Sequence, residues 1–152
     1  MFTKDTLSGK TILITGGGSG LGLAMAKGFA ESGANIAICG RTEEKLQKAA
    51  KEIEEAGEST RAAYYICDVR DHDAVTTMIS KIVEDFGSME GLVNNAAGNF
   101  LSASEDLTPG GFKAIVDIVL HGSFNCTHAF GNYLIDNEKE GSILNIVTTY
   151  AE

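Results

Sequence analysis

A glycine cluster near the start of the chain constrains the fold more than any other feature. A short apolar run at residues 10–15 leads into the cluster at residues 16–22, and apolar residues at helical spacing continue to Gly33. This order predicts a strand, a tight turn and a helix. The turn would present backbone N–H groups and a helix N-terminus at one point, an arrangement that binds phosphate groups.

The spacing within the cluster narrows this prediction. Only Gly16, Gly20 and Gly22 fit the pattern G-x-x-x-G-x-G, and the pattern G-x-G-x-x-G fits nowhere in the cluster. Glycine at these positions would allow a tight turn, a close approach to phosphate and close packing of helix on strand. A glycine cluster can also be a plain loop, but its place between strand and helix favours nucleotide binding. The predicted contacts to a dinucleotide pyrophosphate are Thr15, Gly16, Ser19, Gly20, Leu21 and Gly22, with Ser19 adding a hydroxyl donor.

Strands and helices are predicted to alternate along the rest of the chain. Further strands are expected at residues 35–39, 62–67, 91–94 and 142–148, and helices at residues 43–57, 71–86 and 110–132. Because strands separated by helices pair in parallel, we expect an α/β fold: a three-layer, doubly wound parallel sheet of about five strands in a single domain, residues 1–152. The sequence ends just after the fifth strand, which would leave one edge unpaired. We therefore expect either that the C-terminal part of the fold is missing or that something else, such as a partner chain, protects that edge.

Composition and charge disfavour several classes of function. The formal net charge is −9, with 21 acidic and 12 basic residues, so the overall field repels nucleic acids and anionic membrane surfaces. No stretch is long enough to span a bilayer and residues 1–7 lack a signal-peptide core, so we expect a cytoplasmic protein with no membrane partner. We expect the three cysteines to be buried reduced thiols and the three histidines to have surface or helix-packing roles, with no metal site: Cys39, Cys67 and Cys126; His72, His121 and His128.

The residue after the second predicted strand bears on the choice of cofactor. In NAD-binding units an acidic residue at this place accepts hydrogen bonds from the ribose hydroxyls, whereas this chain has Arg41. A guanidinium can stack on adenine and donate to a 2′-phosphate, which favours NADPH over NADH. The alternative interpretation is a surface arginine paired with Glu43 or Glu44.

An acidic residue follows the third predicted strand. Asp68, followed by Val69, would lie at the carboxyl edge of the sheet, where a carboxylate can accept a hydrogen bond from the adenine amino group. An equally good interpretation is that Asp68 caps the next helix.

Three motifs together resemble the short-chain dehydrogenases/reductases. They are Thr15-Gly16-x-x-x-Gly20-x-Gly22, Asp68-Val69 and Asn94-Asn95-Ala96-Ala97-Gly98, in the order and at the spacing of that family, and the resemblance covers essentially the whole chain. It implies a Rossmann-type fold in which the stretch from Asn94 steadies the central sheet and lies beside the cofactor's ribose and nicotinamide. It also implies a homo-oligomer, commonly a tetramer that uses the long helix. The cofactor contacts that it adds are Asn95, Ala96, Ala97 and Gly98.

A narrower resemblance is to the 2,4-dienoyl-CoA reductases. It is carried by residues 94–100, by residues 117–120 followed by Gly122, and by residues 148–152. As in that subgroup, Val119 stands where ordinary members have asparagine, and Thr148 where they have serine. The resemblance implies NADPH-dependent reduction of a 2,4-dienoyl-CoA or related acyl thioester in fatty-acid metabolism. Tyr150 and Asn99 would bind the thioester carbonyl, where two donors would stabilise the negative charge of the dienolate, and Thr148 is the third candidate catalytic residue.

The function therefore has alternatives. Family members carry a lysine on the helix after the fifth strand, and this sequence ends before that helix. The chain would be either the cofactor-binding portion of a reductase or a non-catalytic nucleotide-binding or interaction module. Within the enzyme interpretation, the rival to a dienoyl-CoA reductase is a 3-oxoacyl thioester reductase or a general ketone/alcohol reductase.

Overall fold

Five parallel strands form one sheet in the computed structural model, which describes residues 5–98 and 102–147. They are β1 (Thr11–Thr15), β2 (Asn35–Gly40), β3 (Ala62–Ile66), β4 (Gly91–Asn94) and β5 (Ser142–Asn145). The strand order is β3-β2-β1-β4-β5. The order reverses between β1 and β4, so the loops that follow these two strands diverge and leave a crevice at their carboxyl ends. The predicted parallel, doubly wound sheet is confirmed.

Helices cover both faces of the sheet. They are α1 (Gly20–Glu31), α2 (Glu43–Ala56), α3 (His72–Phe86), α4 (Pro109–Val116) and α5 (Gly122–Asp136), with a short 3₁₀ turn at Ser104–Asp106. One core packs α1 and α2 on the side chains of Ile12, Ile14, Ile36 and Ile38, and the other packs α3 and α5 on Leu13, Ala37, Cys39 and Leu92. Because both faces of the central strands are buried, these strands are apolar between their ends instead of alternating with polar residues.

The three cysteines lie in the core on the α3–α5 side. Cys39, Cys67 and Cys126 are free and buried, as predicted. Burial raises the pKa of the Cys67 thiol to about 11 and that of Cys126 to about 12. Because the neutral thiol is favoured so strongly, these residues act as small core side chains.

The predicted continuous helix over residues 110–132 is wrong in one respect. A π-helical turn, Asp117–His121, separates α4 from α5, and α5 runs on to Asp136. A Cβ at Gly122 would lie 2.6 Å from Val69 Cγ2, so this glycine lets α5 approach the loop after β3. Asn125 Nδ2 fixes that approach by donating to Val69 O at 2.9 Å. A π turn changes the helical period locally, which the pattern of apolar residues does not show.

Strand β5 lies at one edge of the sheet and is poorly covered in the described part of the chain. All four of its residues are exposed, and Ile143 and Leu144 remain 40% and 46% exposed. The strand is shorter than the predicted 142–148, although the N–H of Ile146 still donates to Asn94 O at 3.0 Å. None of the helices within residues 5–98 and 102–147 has the length and apolar character needed to cross a bilayer.

Candidate functional site

The glycine turn joins the end of β1 to the start of α1. Gly16 and Gly20 have φ values of +67° and +56°, which residues with a Cβ rarely adopt. A Cβ at Gly20 would have no atom within 4 Å, so the space above this residue is open to a ligand. The first-turn N–H groups of α1 have no acceptor within the helix and carry the positive end of its dipole. The turn therefore has the open space and the donors that a pyrophosphate requires.

Gly22 has a packing role instead. A Cβ there would lie 2.5 Å from Gly16 O and 2.6 Å from Asn95 Nδ2, so a larger residue would push α1 away from the turn. Ser19 precedes α1 without capping it through its side chain, and it is exposed, which leaves its hydroxyl accessible to a ligand. The side chain of Leu21 is 70% exposed, so its predicted contact is through the backbone N–H.

Thr15 ties the glycine turn to the stretch after β4. Its buried Oγ1 accepts hydrogen bonds from the N–H groups of Asn95 and Ala96, both at 2.9 Å, and donates to Val93 O at 3.3 Å. Asn95 Nδ2 donates in return to Thr15 O at 2.9 Å. One donor and two acceptor sites are all that a hydroxyl has. The Thr15 hydroxyl is therefore saturated within the protein, and any role it has in cofactor binding is to hold the turn in place.

One groove at the carboxyl edge of the sheet brings most of the predicted motifs together. Its lining includes the glycine turn, the end of β2, the end of β3 and the stretch after β4: Gly16, Cys39, Gly40, Arg41, Cys67, Asp68, Val69, Ala96, Ala97 and Ile118. Ile118 comes from the π turn and also lies against Gly98, where a Cβ would be 2.8 Å from its Cδ1. The sequence had marked Ile118 only as part of a subgroup motif, since nothing in its spacing indicates that it reaches the groove.

Asp68 points to Arg70 and not to the next helix. The Arg70 Nε lies 2.9 and 3.0 Å from the two carboxylate oxygens, and the Arg70 N–H donates to Oδ1 at 3.1 Å. These side-chain hydrogen bonds lower the pKa of Asp68, and the charges of Arg70 and Arg41 add to the effect. Asp71 is the residue that caps α3, accepting from the N–H groups of Asp73 and Ala74 at 3.0 Å each. The capping interpretation of Asp68 is wrong, while its predicted contact with adenine stays a prediction.

Arg41 lies exposed at the mouth of the groove. Within the described ranges it forms no ion pair, so the alternative pairing with Glu43 or Glu44 is not what the structure shows. Thr42 precedes α2 in an extended conformation but makes no capping hydrogen bond through its side chain. A guanidinium that forms no ion pair with the described residues therefore lies beside the groove, next to a helix start that has no side-chain cap.

Asn94 joins β4 to β5. Its Nδ2 donates to Asn145 Oδ1 at 2.8 Å and to Thr127 Oγ1 at 3.0 Å, and Asn94 pairs with Asn145 in the strand register. The sheet-steadying role that the resemblance implies for this stretch is thus visible in the structure. Strands β4 and β5 therefore end at neighbouring points of the sheet. Asn99, Thr148 and Tyr150 themselves lie outside the described residues.

Comparisons with known proteins agree with this architecture. The family model for short chain dehydrogenases matches residues 10–152. A probable 2,4-dienoyl-CoA reductase of Bacillus subtilis is 44% identical over 142 residues, covering 93% of this chain and 55% of the relative. A peroxisomal 2,4-dienoyl-CoA reductase of Arabidopsis thaliana is 39% identical, covering 97% of this chain and 51% of the relative. The chain spans about half the length of the curated relatives it matches.

Solved structures show the same fold. A short chain dehydrogenase of Bacillus anthracis has a TM-score of 0.86 and 45% identity, covering 94% of this chain and 58% of the other. An NAD⁺-bound xylitol dehydrogenase has a TM-score of 0.86 and 33% identity, over 92% and 53% of the two chains. A metagenomic short-chain oxidoreductase in complex with NADP has a TM-score of 0.85 and 28% identity, over 96% and 65%. This chain therefore belongs to the short-chain dehydrogenase/reductase family, with 2,4-dienoyl-CoA reductases among its relatives.

Proposed function

We propose that this chain is the NADPH-binding part of a reductase that acts on a 2,4-dienoyl-CoA or a related enoyl thioester in fatty-acid metabolism. The observation that carries the cofactor part is the position of Arg41 beside the groove, where it forms no ion pair with any of the described residues. The substrate part is supported by relatives whose names are those of dienoyl-CoA reductases.

The cofactor would lie along the carboxyl edge of the sheet. We assign the pyrophosphate to the first turn of α1 above Gly20, and the adenosine to the groove between Arg41 and Asp68. Family membership does not decide between the two nicotinamide cofactors, because the similar structures include one bound to NAD⁺ and one in complex with NADP. NADPH is favoured because Arg41 can donate to a 2′-phosphate, and NAD(H) is the alternative.

NADPH would supply the hydride for the reduction. We assign Asn99 and Tyr150 as hydrogen-bond donors to the thioester carbonyl, and Thr148 as the third candidate catalytic residue. Donors held at this oxygen would stabilise the negative charge of the dienolate more than they stabilise the substrate, and so lower the barrier. The hydrogen bond between Asn94 and Asn145 supports this assignment, because it holds together the two strand ends from which these residues follow.

Two other functions remain as alternatives. A 3-oxoacyl thioester or general ketone/alcohol reductase would use the same cofactor groove, but Val119 stands where such enzymes carry asparagine. A non-catalytic nucleotide-binding module would need only the groove. As part of the proposal, we place the protein in the cytoplasm as a homo-oligomer, a state supported by large exposed apolar side chains on α4 and α5: Phe112 and Ile135. The peroxisomal relative makes the peroxisome the other location to test by cell fractionation.

Turnover by the full-length protein tests the proposal. Loss of nicotinamide absorbance is followed with NADPH and a 2,4-dienoyl-CoA, and separately with a 3-oxoacyl thioester and a simple ketone. We expect turnover of the dienoyl thioester, lowered strongly by Tyr150→Phe and not by the control Tyr64→Phe, whose hydroxyl contacts only the exposed Glu43. Turnover of the ketone or 3-oxoacyl substrate alone would contradict the substrate assignment. NADPH binding without turnover of any substrate would favour the module.

A further inference from the structure

Two histidines from different helices face each other on the α3–α5 layer. His72 is the first residue of α3, and His128 lies near the middle of α5. His72 Nε2 and His128 Nδ1 are 3.1 Å apart, and the ring centroids are 5.2 Å apart. Phe124, one turn before His128, stacks on its ring at 5.5 Å and 25°, which restricts the ring's orientation. The fold thus brings together two imidazole rings that are 56 residues apart in sequence.

The separation of the two nitrogens is that of a metal chelate. Two nitrogens that each lie about 2.1 Å from one ion are about 3.0–3.4 Å apart when they subtend an angle of roughly 90–110° at the metal. Imidazole is a preferred ligand of Zn²⁺, Cu²⁺ and Ni²⁺. In the metal-free contact, one of the facing nitrogens carries the shared proton. A shift of that proton to the other nitrogen of its ring frees both lone pairs and leaves both rings neutral.

We propose that His72 and His128 form a two-histidine chelate for a divalent transition-metal ion, with water in the remaining coordination positions. The site is open to solvent, since His128 is exposed and the His72 side chain is 43% exposed. Asp73 Oδ1 lies 3.7 Å from His72 Nδ1, the ring nitrogen that does not face His128, and a carboxylate there can hold the proton of a metal-bound imidazole. Residues 5–98 and 102–147 contain no group of three or more His, Cys, Asp or Glu side chains placed to hold a metal, so the chelate has two protein ligands.

A metal at this position would join α3 to α5. The two helices pack on the same face of the sheet, and no covalent link connects them at this point. An ion held by one ligand from each helix binds the folded chain better than the unfolded one, because unfolding separates the ligands. Metal binding is therefore expected to raise the unfolding temperature. The cofactor groove takes no part in this site.

Titration of the full-length protein, freed of any histidine tag, with NiCl₂ tests the proposal by calorimetry and by thermal unfolding. We expect Ni²⁺ to bind and to raise Tm. Because loss of a ligand's supporting partner already costs about tenfold in metal affinity, His72→Ala and His128→Ala should each cost at least that. The Ni²⁺ affinity of the double variant should be no lower than that of either single variant, because removal of one ligand already destroys the chelate. Any Ni²⁺ binding that remains in the double variant comes from histidines elsewhere, and this background is subtracted from the titration of the unaltered protein.

His121→Ala is the matched control, because His121 lies on the same helical segment as His128 and its ring contacts Asp117 instead. Its Ni²⁺ affinity should equal that of the unaltered protein. Circular dichroism checks that each variant folds, and His72→Asn and His128→Gln replace any alanine variant that does not. Absence of the Ni²⁺-dependent rise in Tm, unchanged affinity in both single variants, or an equal loss in His121→Ala would overturn the proposal.

Discussion

Two regions of the sheet differ in how well their residues are packed and hydrogen-bonded: the crevice between β1 and β4, and the edge strand β5. At the β1–β4 crevice, buried Thr15 satisfies two backbone N–H groups and a carbonyl, and Gly22 packs α1 against the turn. At β5 all four residues are exposed, although Asn94 bonds to Asn145. The contrast teaches that the cofactor half of the site is preorganised by contacts within this chain. The proposed substrate contacts, Asn99, Thr148 and Tyr150, lie outside the described residues.

The largest expected effect comes from adding a side chain at Gly22, where α1 packs tightly against the glycine turn. Gly22→Ala places a Cβ 2.5 Å from Gly16 O, so α1 must move, and we expect a loss of about 2–3 kcal/mol of unfolding free energy together with loss of NADPH binding. Gly28→Ala in the same helix is the control, because a Cβ there meets nothing within 4 Å and should stabilise the helix by up to about 1 kcal/mol. Urea unfolding measures both; equal effects would mean that α1 does not pack as closely as described.

A second test removes the Thr15 hydroxyl. Thr15→Val keeps the shape but leaves the N–H groups of Asn95 and Ala96 without their acceptor, which should cost about 1–3 kcal/mol of unfolding free energy. Thr15→Ser keeps the hydroxyl and should recover most of the loss. The control is Thr77→Val on the exposed face of α3, whose hydroxyl contacts only Asp73 O. If Thr77→Val lost as much stability as Thr15→Val, the hydrogen bonds of the Thr15 hydroxyl would not stabilise the crevice as described.

A third test addresses cofactor choice at the open rim of the groove. Arg41→Asp should lower NADPH affinity about tenfold or more, because a charge-assisted hydrogen bond to the 2′-phosphate is replaced by repulsion. NADH affinity should change much less. Lys48→Asp on the exposed surface of α2 makes the same change in net charge and serves as the control. Calorimetry that showed an equal fall for both cofactors would contradict the phosphate-binding role of Arg41.

The smallest expected effect is the pH dependence that Asp68 contributes. Hydrogen bonds from Arg70 lower the pKa of this carboxyl in the folded chain, so its stabilising contribution is present above the ordinary aspartate pKa of about 3.9 and is lost as the pH falls through the lowered value. Asp68→Asn should therefore reduce the loss of stability on acidification, by less than about 1 kcal/mol for so exposed a pair. The same change at Asp136, on the exposed end of α5, is the control for urea unfolding at neutral and acid pH.

Much of this molecule could be predicted from its sequence because the signals are local. The alternation of apolar runs and helical patterns is enough to predict a parallel sheet, and the register of Gly16, Gly20 and Gly22 is enough to predict the turn. The groove that brings Arg41, Asp68 and Ala96 together follows from the rule that parallel strands end at one edge.

Other features depend on tertiary contacts that no local pattern encodes. The π turn that places Ile118 in the groove breaks the helical period, and the saturation of the Thr15 hydroxyl depends on residues about 80 positions away. The pairing of Asp68 with Arg70 replaces a capping role that the sequence allowed equally well. The meeting of His72 and His128 depends on the packing of α3 against α5. The roles of Asn99, Thr148 and Tyr150 stay predictions.

Amide chemical-shift mapping of the ¹⁵N-labelled protein during titration with NADPH tests the central claim most directly. The account predicts the largest changes at the N–H groups of Gly20, Leu21 and Gly22, with further changes at Arg41 and Ala96 and none at Ile143 of β5. The largest changes at β5 or along the open edge of β3, with the glycine turn unaffected, would contradict it.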